Sequence, residues 1–198
     1  YPKNSKQPFS ESAILDGKVE KTNEGYGLAK ILGTKLVEYM NIQNNRKYLS
    51  IIPAASYGPN DCYDEKTNHV IPALIHKFHN AKMSKDSSVE VWGTGNARRE
   101  FLHVDDMASG IIFLLENYYD NSPINLGTGE EVTINELANL ISKVVNFKGN
   151  IIFDTTKPDG IPRKILDSSK ILKLGWKPSI NLIDGLEKTY STFLSDLK

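Results

Sequence analysis

The sequence predicts an α/β protein built on a mainly parallel sheet. Short segments rich in β-branched and aromatic residues alternate along the 198 residues with longer segments that repeat apolar residues at helical spacing. Neither an internal repeat nor a low-complexity linker interrupts this alternation. Because crossover helices join parallel strands, the alternation favours a parallel sheet with helices packed against it.

Helical spacing of apolar residues predicts five helices. The first covers residues 22–43, with Thr22 as its N-cap. Thr133 and Glu136 have the spacing of a capping box, and Asp105 opens another helix with a carboxylate that suits the helix dipole. The four later helices are predicted over residues 70–82, 105–119, 133–145 and 182–194.

Five short segments are predicted to be strands. The segment "KYLSIIP" is apolar and rich in β-formers, as a buried strand would be. The segment "SVEVW" alternates apolar and polar residues and ends at the turn "GTG". The predicted strands cover residues 47–53, 88–92, 99–104, 124–127 and 150–154.

Composition argues against several classes of protein. The 24 Lys and Arg residues balance the 24 Asp and Glu residues, so we expect no bulk attraction to nucleic acid or to an anionic membrane. No apolar segment approaches the ~20 residues of a membrane helix, and the polar start "YPKNSKQPFSE" is unlike a secretory signal. The single cysteine, Cys62, predicts a reducing, cytoplasmic location without disulfides, and we expect no metal site.

One expected motif is missing. A dinucleotide-binding α/β domain normally opens with a strand and a Gly-rich turn that leads into a helix. The first sixty residues contain no such motif, and the turns in "GTGNARR" and "GTGEEV" have neither its spacing nor its following helix. Either the protein binds no dinucleotide, or the chain begins after that half of the domain.

Tyr26 and Lys30 lie four positions apart in "TNEGYGLAK", one turn apart on one helix face. An ammonium near a phenol favours the phenolate, so this tyrosine can exchange a proton with a carbonyl or an alcohol. The lysine can also hold a cofactor ribose. Taken alone, the pair is better explained as a tyrosine edge packed on a lysine stem, because this spacing often arises by chance.

Further segments carry a resemblance to a known family. In order, they are "YPK", "TNEGYGLAK", "YGPND", "HVIPALIHKFHNAK", "VEVWGTGNARREFLHVDDMA", "INLGTGEEVTINELA", "FDTTKPDGIPRKILD" and "LGWKP". Together they resemble the GDP-L-fucose synthase family of extended short-chain dehydrogenase/reductases over essentially the whole chain. "YGPND", "WGTG" and "REFLHVDD" are shared among nucleotide-sugar epimerases and dehydratases. The segment from His69 through "HKFHNAK", with "KPDGIPRK", is more specific to this branch.

The resemblance implies an enzyme that epimerises and then reduces GDP-4-keto-6-deoxy-D-mannose to GDP-L-fucose with NADPH. Epimerisation next to a ketone needs an acid, a base and stabilisation of the enolate oxygen. By the resemblance, Tyr26 donates a proton at the keto oxygen, and Lys30 assists it and binds the nicotinamide ribose. His69 matches the family's acid/base histidine, which also lies at the cofactor, and an imidazole can serve either role near neutral pH.

The segment "PAASYGP" is similar to the family's loop beside the nicotinamide. The resemblance therefore implies NADP(H) contacts from Pro53, Ala54, Ala55 and Ser56. Relatives usually carry Thr and Asn where this chain has Ala54 and Ala55. Two polar side chains are thus absent near the cofactor, and we expect backbone groups to supply the contacts.

For the GDP-sugar, the resemblance implies five binding residues: Lys77, Trp92, Arg99, Asp159 and Lys164. Cations suit a diphosphate, an aromatic ring covers a sugar or base, and a carboxylate accepts from a guanine edge or sugar hydroxyl. Many relatives carry Arg at position 77, and a lysine keeps the charge without the bidentate geometry. For Arg98, both a substrate contact and a solvated position stay open.

The resemblance also implies interleaved domains. Residues 1–60 would supply part of an NADP-binding Rossmann domain whose Gly-rich half is absent, and residues 61–198 mainly the sugar-nucleotide domain. Strand 123–127 would return to the Rossmann sheet. The family's Ser-Ser-Cys segment would precede Tyr1, so we expect these 198 residues alone to bind NADPH poorly and not to turn over. The full-length form is expected to be a homodimer.

Two other interpretations compete. The first is another NAD(P)-dependent nucleotide-sugar epimerase or dehydratase, which His69 and "KPDGIPRK" disfavour. The second is a non-catalytic sugar-nucleotide-binding protein, which the missing Gly-rich motif favours. A nucleic-acid-binding module is poorly supported, because no basic stripe with interleaved aromatic residues occurs.

Overall fold

The computed structural model describes residues 1–63 and 69–197. Within these ranges, α-helices alternate with short strands that pair mostly in parallel, so the predicted α/β class with parallel strands is confirmed. The described helices are α1 (Glu24–Asn44), α2 (Val70–Ser84), α3 (Val104–Asn117), α4 (Ile134–Val145), α5 (Ser169–Leu174) and α6 (Leu182–Asp196), and short 3-10 helices cover Glu11–Leu15 and Lys21–Asn23.

The described strands form small sheets. They are β1 (Ile51–Pro53), β2 (Ala55–Tyr57), β3 (Ser88–Trp92), β4 (Arg98–Arg99), β5 (Phe101–His103), β6 (Ile124–Leu126), β7 (Val132–Thr133), β8 (Asn150–Asp154) and β9 (Arg163–Lys164). Parallel pairs join β1 to β6, β2 to β5 and β3 to β8. The remaining sheet has the order β7-β4-β9, in which β4 is antiparallel to β7 and parallel to β9.

The longer periodic segments fold as predicted. Strands β3 and β8 have the predicted bounds, and helices α2, α3, α4 and α6 begin and end within two residues of their predictions. The capping box of α4 is confirmed, because Thr133 accepts from the backbone of Glu136 and the Glu136 side chain accepts from the backbone of Thr133. Strong local periodicity therefore decided these elements.

The prediction that Thr22 caps the first helix is wrong. Residues Lys21–Asn23 form a 3-10 turn, so α1 begins at Glu24 and Asn23 occupies the N-cap position. The predicted strand 47–53 is also too long, since β1 begins at Ile51. The side chain of Asn41 bonds both the N–H and the carbonyl of Tyr48 at 2.8 Å, which occupies backbone groups that a strand would use.

The predicted strand 99–104 is divided between two sheets. Arg98–Arg99 pairs with β7 and β9, whereas Phe101–His103 pairs with β2. Glu100, which lies between them, is buried. The sequence pattern missed β2, β7, β9 and α5, because elements of two, three or six residues are too short to show a period.

Two hydrophobic cores hold the elements together. The larger core lies around helices α2, α4 and α6, with Phe78, Ile141 and Leu186 fully buried. The smaller core joins strands β1-β6 to α3 and α5, and includes Leu114, Ile124 and Trp176. Its members come from the first, middle and last parts of the chain, so distant segments share one apolar interior.

Buried polar groups fix the start of α3. The Asp106 carboxylate is buried and accepts from the Ser179 N–H at 3.0 Å, the Ser179 hydroxyl at 2.8 Å and the Ile180 N–H at 2.9 Å. His103 is also buried, and its Nδ1 accepts from the Asp105 N–H at 3.2 Å as the N-cap of the helix. The Asp106 bonds attach α3 to the segment that leads into α6, and the His103 bond caps the first turn of α3.

No helix within residues 1–63 and 69–197 is both long enough and apolar enough to cross a membrane.

We expect Asp106→Asn to lower the free energy of unfolding by about 2–3 kcal/mol, because the buried carboxylate accepts charge-assisted hydrogen bonds that an amide replaces poorly. Urea denaturation measures this change. The matched control is Asp105→Asn, since the Asp105 side chain is 65% exposed and its loss should change stability by less than about 0.5 kcal/mol. Equal effects of the two substitutions would contradict the assigned role of Asp106.

His103 predicts a pH dependence of stability. Burial is the main cause that lowers its pKa in the folded protein, and the ammonium of Lys188 lowers it further, against the carboxylates of Asp105 and Asp106. Below the unfolded value of about 6.5, the unfolded chain binds a proton that the folded protein excludes. The stability present above about pH 6.5 is therefore lost as the pH falls.

The measurement is urea denaturation at about pH 7.5 and about pH 5.5, in wild type and in His103→Asn. Asn keeps an N-cap acceptor but does not titrate, so the variant should lose about 1 kcal/mol less stability over this interval. His79, whose pKa burial also lowers, titrates in both proteins and cancels in the comparison. Identical pH profiles would show that His103 is not the titrating group.

Candidate active site

Tyr26 and Lys30 lie together on α1. The Lys30 ammonium is 5.4 Å from the centroid of the Tyr26 ring, so the prediction that they share a helix face is confirmed. The tyrosine is 62% exposed. A phenol that faces solvent beside an ammonium is accessible to a ligand and able to exchange a proton with it.

Residues 53–56, from the end of β1 to the middle of β2, form the second part of the candidate site. Pro53, Ala55 and Ser56 are exposed, whereas Ala54 is buried and its N–H donates to the Leu126 carbonyl at 2.9 Å. The backbone bond at Ala54 carries the chain from the β1-β6 pair into the β2-β5 pair. Pro53 and Ala55, the exposed residues on either side of Ala54, are therefore held in paired strands.

His69 lies immediately before α2, with extended backbone and an exposed side chain. Its carbonyl accepts from the Ala73 N–H at 3.0 Å, but its side chain makes no capping bond. Among residues 1–63 and 69–197, no hydrogen bond, ion pair or ring contact joins His69 to Tyr26 or Lys30. The structure therefore does not bring the three predicted catalytic side chains into contact.

A second group of predicted residues meets at the turn after β3. The Asp159 carboxylate accepts from the Thr94 N–H at 2.6 Å and from the Thr94 hydroxyl at 2.8 Å. At Gly93, φ is +84°, and a Cβ there would lie 2.2 Å from Asp159 Oδ1. Glycine permits this approach because it has no side chain and tolerates a positive φ. The turn "GTG" therefore binds the loop that carries Asp159.

Trp92 presents an open aromatic face at the end of β3. Its side chain is 63% exposed, and the Lys157 ammonium lies 5.7 Å from its ring. The ammonium of Lys77, from α2, donates to the carbonyl of Glu90 at 2.7 Å, two residues before Trp92. An indole and two cations thus lie along this strand, with Lys157 at its end and Lys77 at its middle.

Arg99 and Lys164 are direct neighbours in the β4-β9 pair. Burial lowers the pKa of Arg99, although the Asp159 carboxylate acts in the opposite direction. The pKa of Lys164 is lowered first by desolvation and then by the Arg99 guanidinium. Two adjacent cations that raise each other's electrostatic energy favour a bound anion between them.

The structure adds residues that the sequence did not single out. The buried Glu100 carboxylate accepts from the N–H groups of Leu166 and Gly129, each at 2.8 Å, and burial raises its pKa. Lys157 and Glu131 contact the predicted substrate residues or their strands. "REFLHV" contained the signal for Glu100, since a carboxylate inside an apolar strand needs buried partners.

Two surface cavities of about 460 and 360 Å³ lie elsewhere. The first is lined by residues between Pro2 and Lys18, and the second by the turn at Ser10–Ser12 with Lys35 and Lys170. Neither includes a predicted catalytic or binding residue.

Comparison with known proteins identifies the family of this chain. Residues 1–127 match the family described as the NAD dependent epimerase/dehydratase family. The chain is 47% identical over 197 residues to a probable GDP-L-fucose synthase 1 of Oryza sativa subsp. japonica, covering 100% of this chain and 60% of the relative. It is 47% identical over 205 residues to GDP-L-fucose synthase of Escherichia coli (strain K12), covering 99% and 64%.

A solved structure is also similar. The gdp-l-fucose synthetase of Naegleria fowleri bound to NADP superposes with a TM-score of 0.93 at 28% identity, covering 100% of this chain and 64% of that chain. The resemblance stated from the motifs is thereby confirmed. The chain spans less than two thirds of the length of the curated relatives described above.

The contact between Asp159 and Thr94 predicts a measurable change in backbone protection. In Asp159→Ala, the Thr94 amide loses its charge-assisted acceptor, so its hydrogen exchange should become at least about tenfold faster. The matched control is Asp154→Ala, because the Asp154 carboxylate bonds Thr156 in the same loop instead. Unchanged exchange at Thr94 in Asp159→Ala would refute the proposed seating of the loop.

Proposed function

Because this chain belongs to the NAD dependent epimerase/dehydratase family, we propose that the full-length protein converts GDP-4-keto-6-deoxy-D-mannose to GDP-L-fucose with NADPH. The observation that supports this most is the similarity, along the whole chain, to relatives named GDP-L-fucose synthase. The exposed Tyr26–Lys30 pair and the Arg99–Lys164 pair supply the two kinds of group that the reaction needs. One pair handles protons and the other binds phosphate.

Tyr26 is the proposed proton donor to the keto oxygen of the sugar. During epimerisation its hydroxyl stabilises the enolate oxygen, and during reduction it protonates the alkoxide. Lys30, whose ammonium lies 5.4 Å from the centroid of the Tyr26 ring, is proposed to assist Tyr26 in this step. His69, exposed at the start of α2, is the proposed acid/base group on one face of the carbons next to the ketone. Because inversion needs a proton removed from one face and returned on the other, a second group must act on the opposite face.

The residues present fit a nicotinamide cofactor. Lys30 has an exposed ammonium for ribose hydroxyls, and Pro53, Ala55 and Ser56 offer an exposed edge without bulky side chains. The buried Ala54 contributes a fixed backbone rather than a polar side chain. When bound, NADPH supplies the hydride for reduction of the ketone. His69 completes the group of residues proposed to hold NADP(H).

The GDP part of the substrate is proposed to bind around the end of β3. Arg99 and Lys164 are placed for the diphosphate, and the exposed Trp92 ring for the sugar or the base. Lys77 donates only one of its three N–H groups to the Glu90 carbonyl, so two remain for phosphate oxygens. Asp159 both seats its own loop and offers acceptor lone pairs to the substrate.

We further propose a domain division and a partner. Residues 1–60 would contribute to the cofactor domain and residues 61–198 mainly to the sugar-nucleotide domain, with strand 123–127 returning to the cofactor domain.

A second copy of the protein would cover the exposed apolar side chains of α1, which are Leu28, Leu32, Leu36 and Ile42. We place the protein in the cytoplasm, where its nucleotide-sugar substrate would be made and its single cysteine kept reduced.

Turnover of GDP-4-keto-6-deoxy-D-mannose by the full-length protein, followed as NADPH oxidation and by the identity of the sugar product, tests the proposal. Tyr26→Phe should lower kcat by about a hundredfold or more, because it removes the transferable proton and keeps the ring. Tyr39→Phe is the matched control, since Tyr39 is 57% exposed on the same helix and its hydroxyl has no proposed role.

Absence of turnover in the wild type would overturn the proposed function. Full activity of Tyr26→Phe with normal turnover in the wild type would leave the reaction intact and refute only the role of Tyr26. Conversion of the substrate to an epimer without NADPH oxidation would favour the competing interpretation of an epimerase.

A further inference from the structure

One carboxylate bridges two strands of the three-stranded sheet. The Glu131 side chain accepts from Arg98 Nε at 2.8 Å through one oxygen and from Arg163 Nε at 2.7 Å through the other. Arg98 lies on β4 and Arg163 on β9. The Glu131 side chain is only 16% exposed, so solvent screens these bonds less than it would at an open surface.

The bridge lies opposite the proposed phosphate-binding cations. In the parallel β4-β9 pair, Arg98 is in register with Arg163, and Arg99 is in register with Lys164. Because successive side chains of a strand point to opposite faces, the two arginines bound by Glu131 share one face. Arg99 and Lys164 share the other face.

The two faces of the sheet also differ in how their positive charges are balanced. Hydrogen bonds from Arg163 and then Arg98 lower the pKa of Glu131, and Glu131 in turn raises the pKa of Arg163. On the other face, desolvation and then the Arg99 guanidinium lower the pKa of Lys164. One cation pair is therefore bridged and partly neutralised by a carboxylate, whereas no carboxylate among the described residues bridges Arg99 and Lys164.

Backbone pairing alone holds this sheet weakly. Strands β4, β7 and β9 have two residues each, and the Arg98 N–H to Pro162 carbonyl bond of 2.8 Å is one of the few bonds that supplement the ladder. Repulsion between Arg99 and Lys164 acts to separate β4 from β9. The Glu131 bridge opposes that separation with two charge-assisted hydrogen bonds.

We propose that Glu131 is a positioning residue for the diphosphate of the nucleotide sugar: by tying Arg98 to Arg163, it aligns β4 with β9 so that Arg99 and Lys164 reach both phosphates together. This inference rests on the proposed function. Glu131 itself touches no substrate. It acts through the strands that carry the two cations, so its loss affects a ligand with two phosphates more than a ligand with one.

The test measures dissociation constants for GDP and GMP by calorimetry in the full-length protein, in wild type, Glu131→Gln and Glu130→Gln. Glu131→Gln keeps the side-chain size and one acceptor but removes the charge that holds both arginines. The affinity for GDP should fall about tenfold and that for GMP by no more than about twofold, so the preference for GDP shrinks. Glu130→Gln is the matched control, because Glu130 is exposed next to Glu131 and its hydrogen bonds within residues 1–63 and 69–197 are made by its backbone.

Arg163→Lys is a second, milder variant for the case in which Glu131→Gln does not fold. It keeps the positive charge but loses the Nε donor, so it should weaken GDP binding in the same selective way and to a smaller extent. In turnover, both variants should raise KM with little change in kcat. A group that serves only stability would not change the ratio of GDP to GMP affinity at a temperature where the variant is folded.

The outcomes separate this inference from the function on which it rests. If wild type binds GDP and the two variants bind GDP and GMP with unchanged relative affinities, Glu131 does not position the phosphate site and the proposed function stands. If wild type does not bind GDP, the proposed function fails and this inference fails with it. Selective loss of GDP affinity in both variants supports the inference.

Discussion

A buried carboxylate in the middle of one short segment organises the candidate substrate site. Glu100 separates β4 from β5, and its two oxygens accept from the backbone of Gly129 and Leu166. A buried charge is costly unless it is hydrogen-bonded, so this geometry is tightly specified. The contact to Leu166 fixes the chain two residues after Lys164. Glu100 therefore holds Lys164 near Arg99, the residue that precedes Glu100. The strand Phe101–His103, which follows Glu100, pairs with β2 and anchors the segment.

The two proposed working pairs lie in contrasting surroundings. Tyr26 and Lys30 stand on a helix whose apolar side chains are largely exposed, and Asn41 is the only residue of α1 that is buried. Arg99 and Lys164 stand in a small sheet on whose other face Glu131 bridges two arginines, and the segment after β9 is bonded to the buried Glu100 carboxylate. The proposed phosphate-binding pair is therefore supported by the described residues themselves. The proposed proton-transferring pair depends on whatever surface covers α1.

A glycine is required at position 93, where the loop that carries Asp159 approaches the turn after β3. The turn at Gly93 brings the Asp159 carboxylate to within bonding distance of the Thr94 backbone. Beside it, the indole of Trp92 stays exposed and Lys157 lies over its ring. An exposed aromatic ring thus lies beside a loop that is held by hydrogen bonds to the β3 turn.

Local pattern determined much of this protein. The periodicity of α2, α4 and α6 and the alternation in β3 were sufficient to predict those elements, because their stabilising contacts repeat every few residues. The contact between Tyr26 and Lys30 also followed from spacing, since residues four apart meet on any helix. Ordered motifs along the chain were sufficient to identify the family. Only the tertiary structure decided the register that sets Arg99 beside Lys164, the bridge at Glu131 and the burial of Glu100. These contacts join segments far apart in sequence through strands of two residues, and no local period can encode a partner that the chain reaches only by folding.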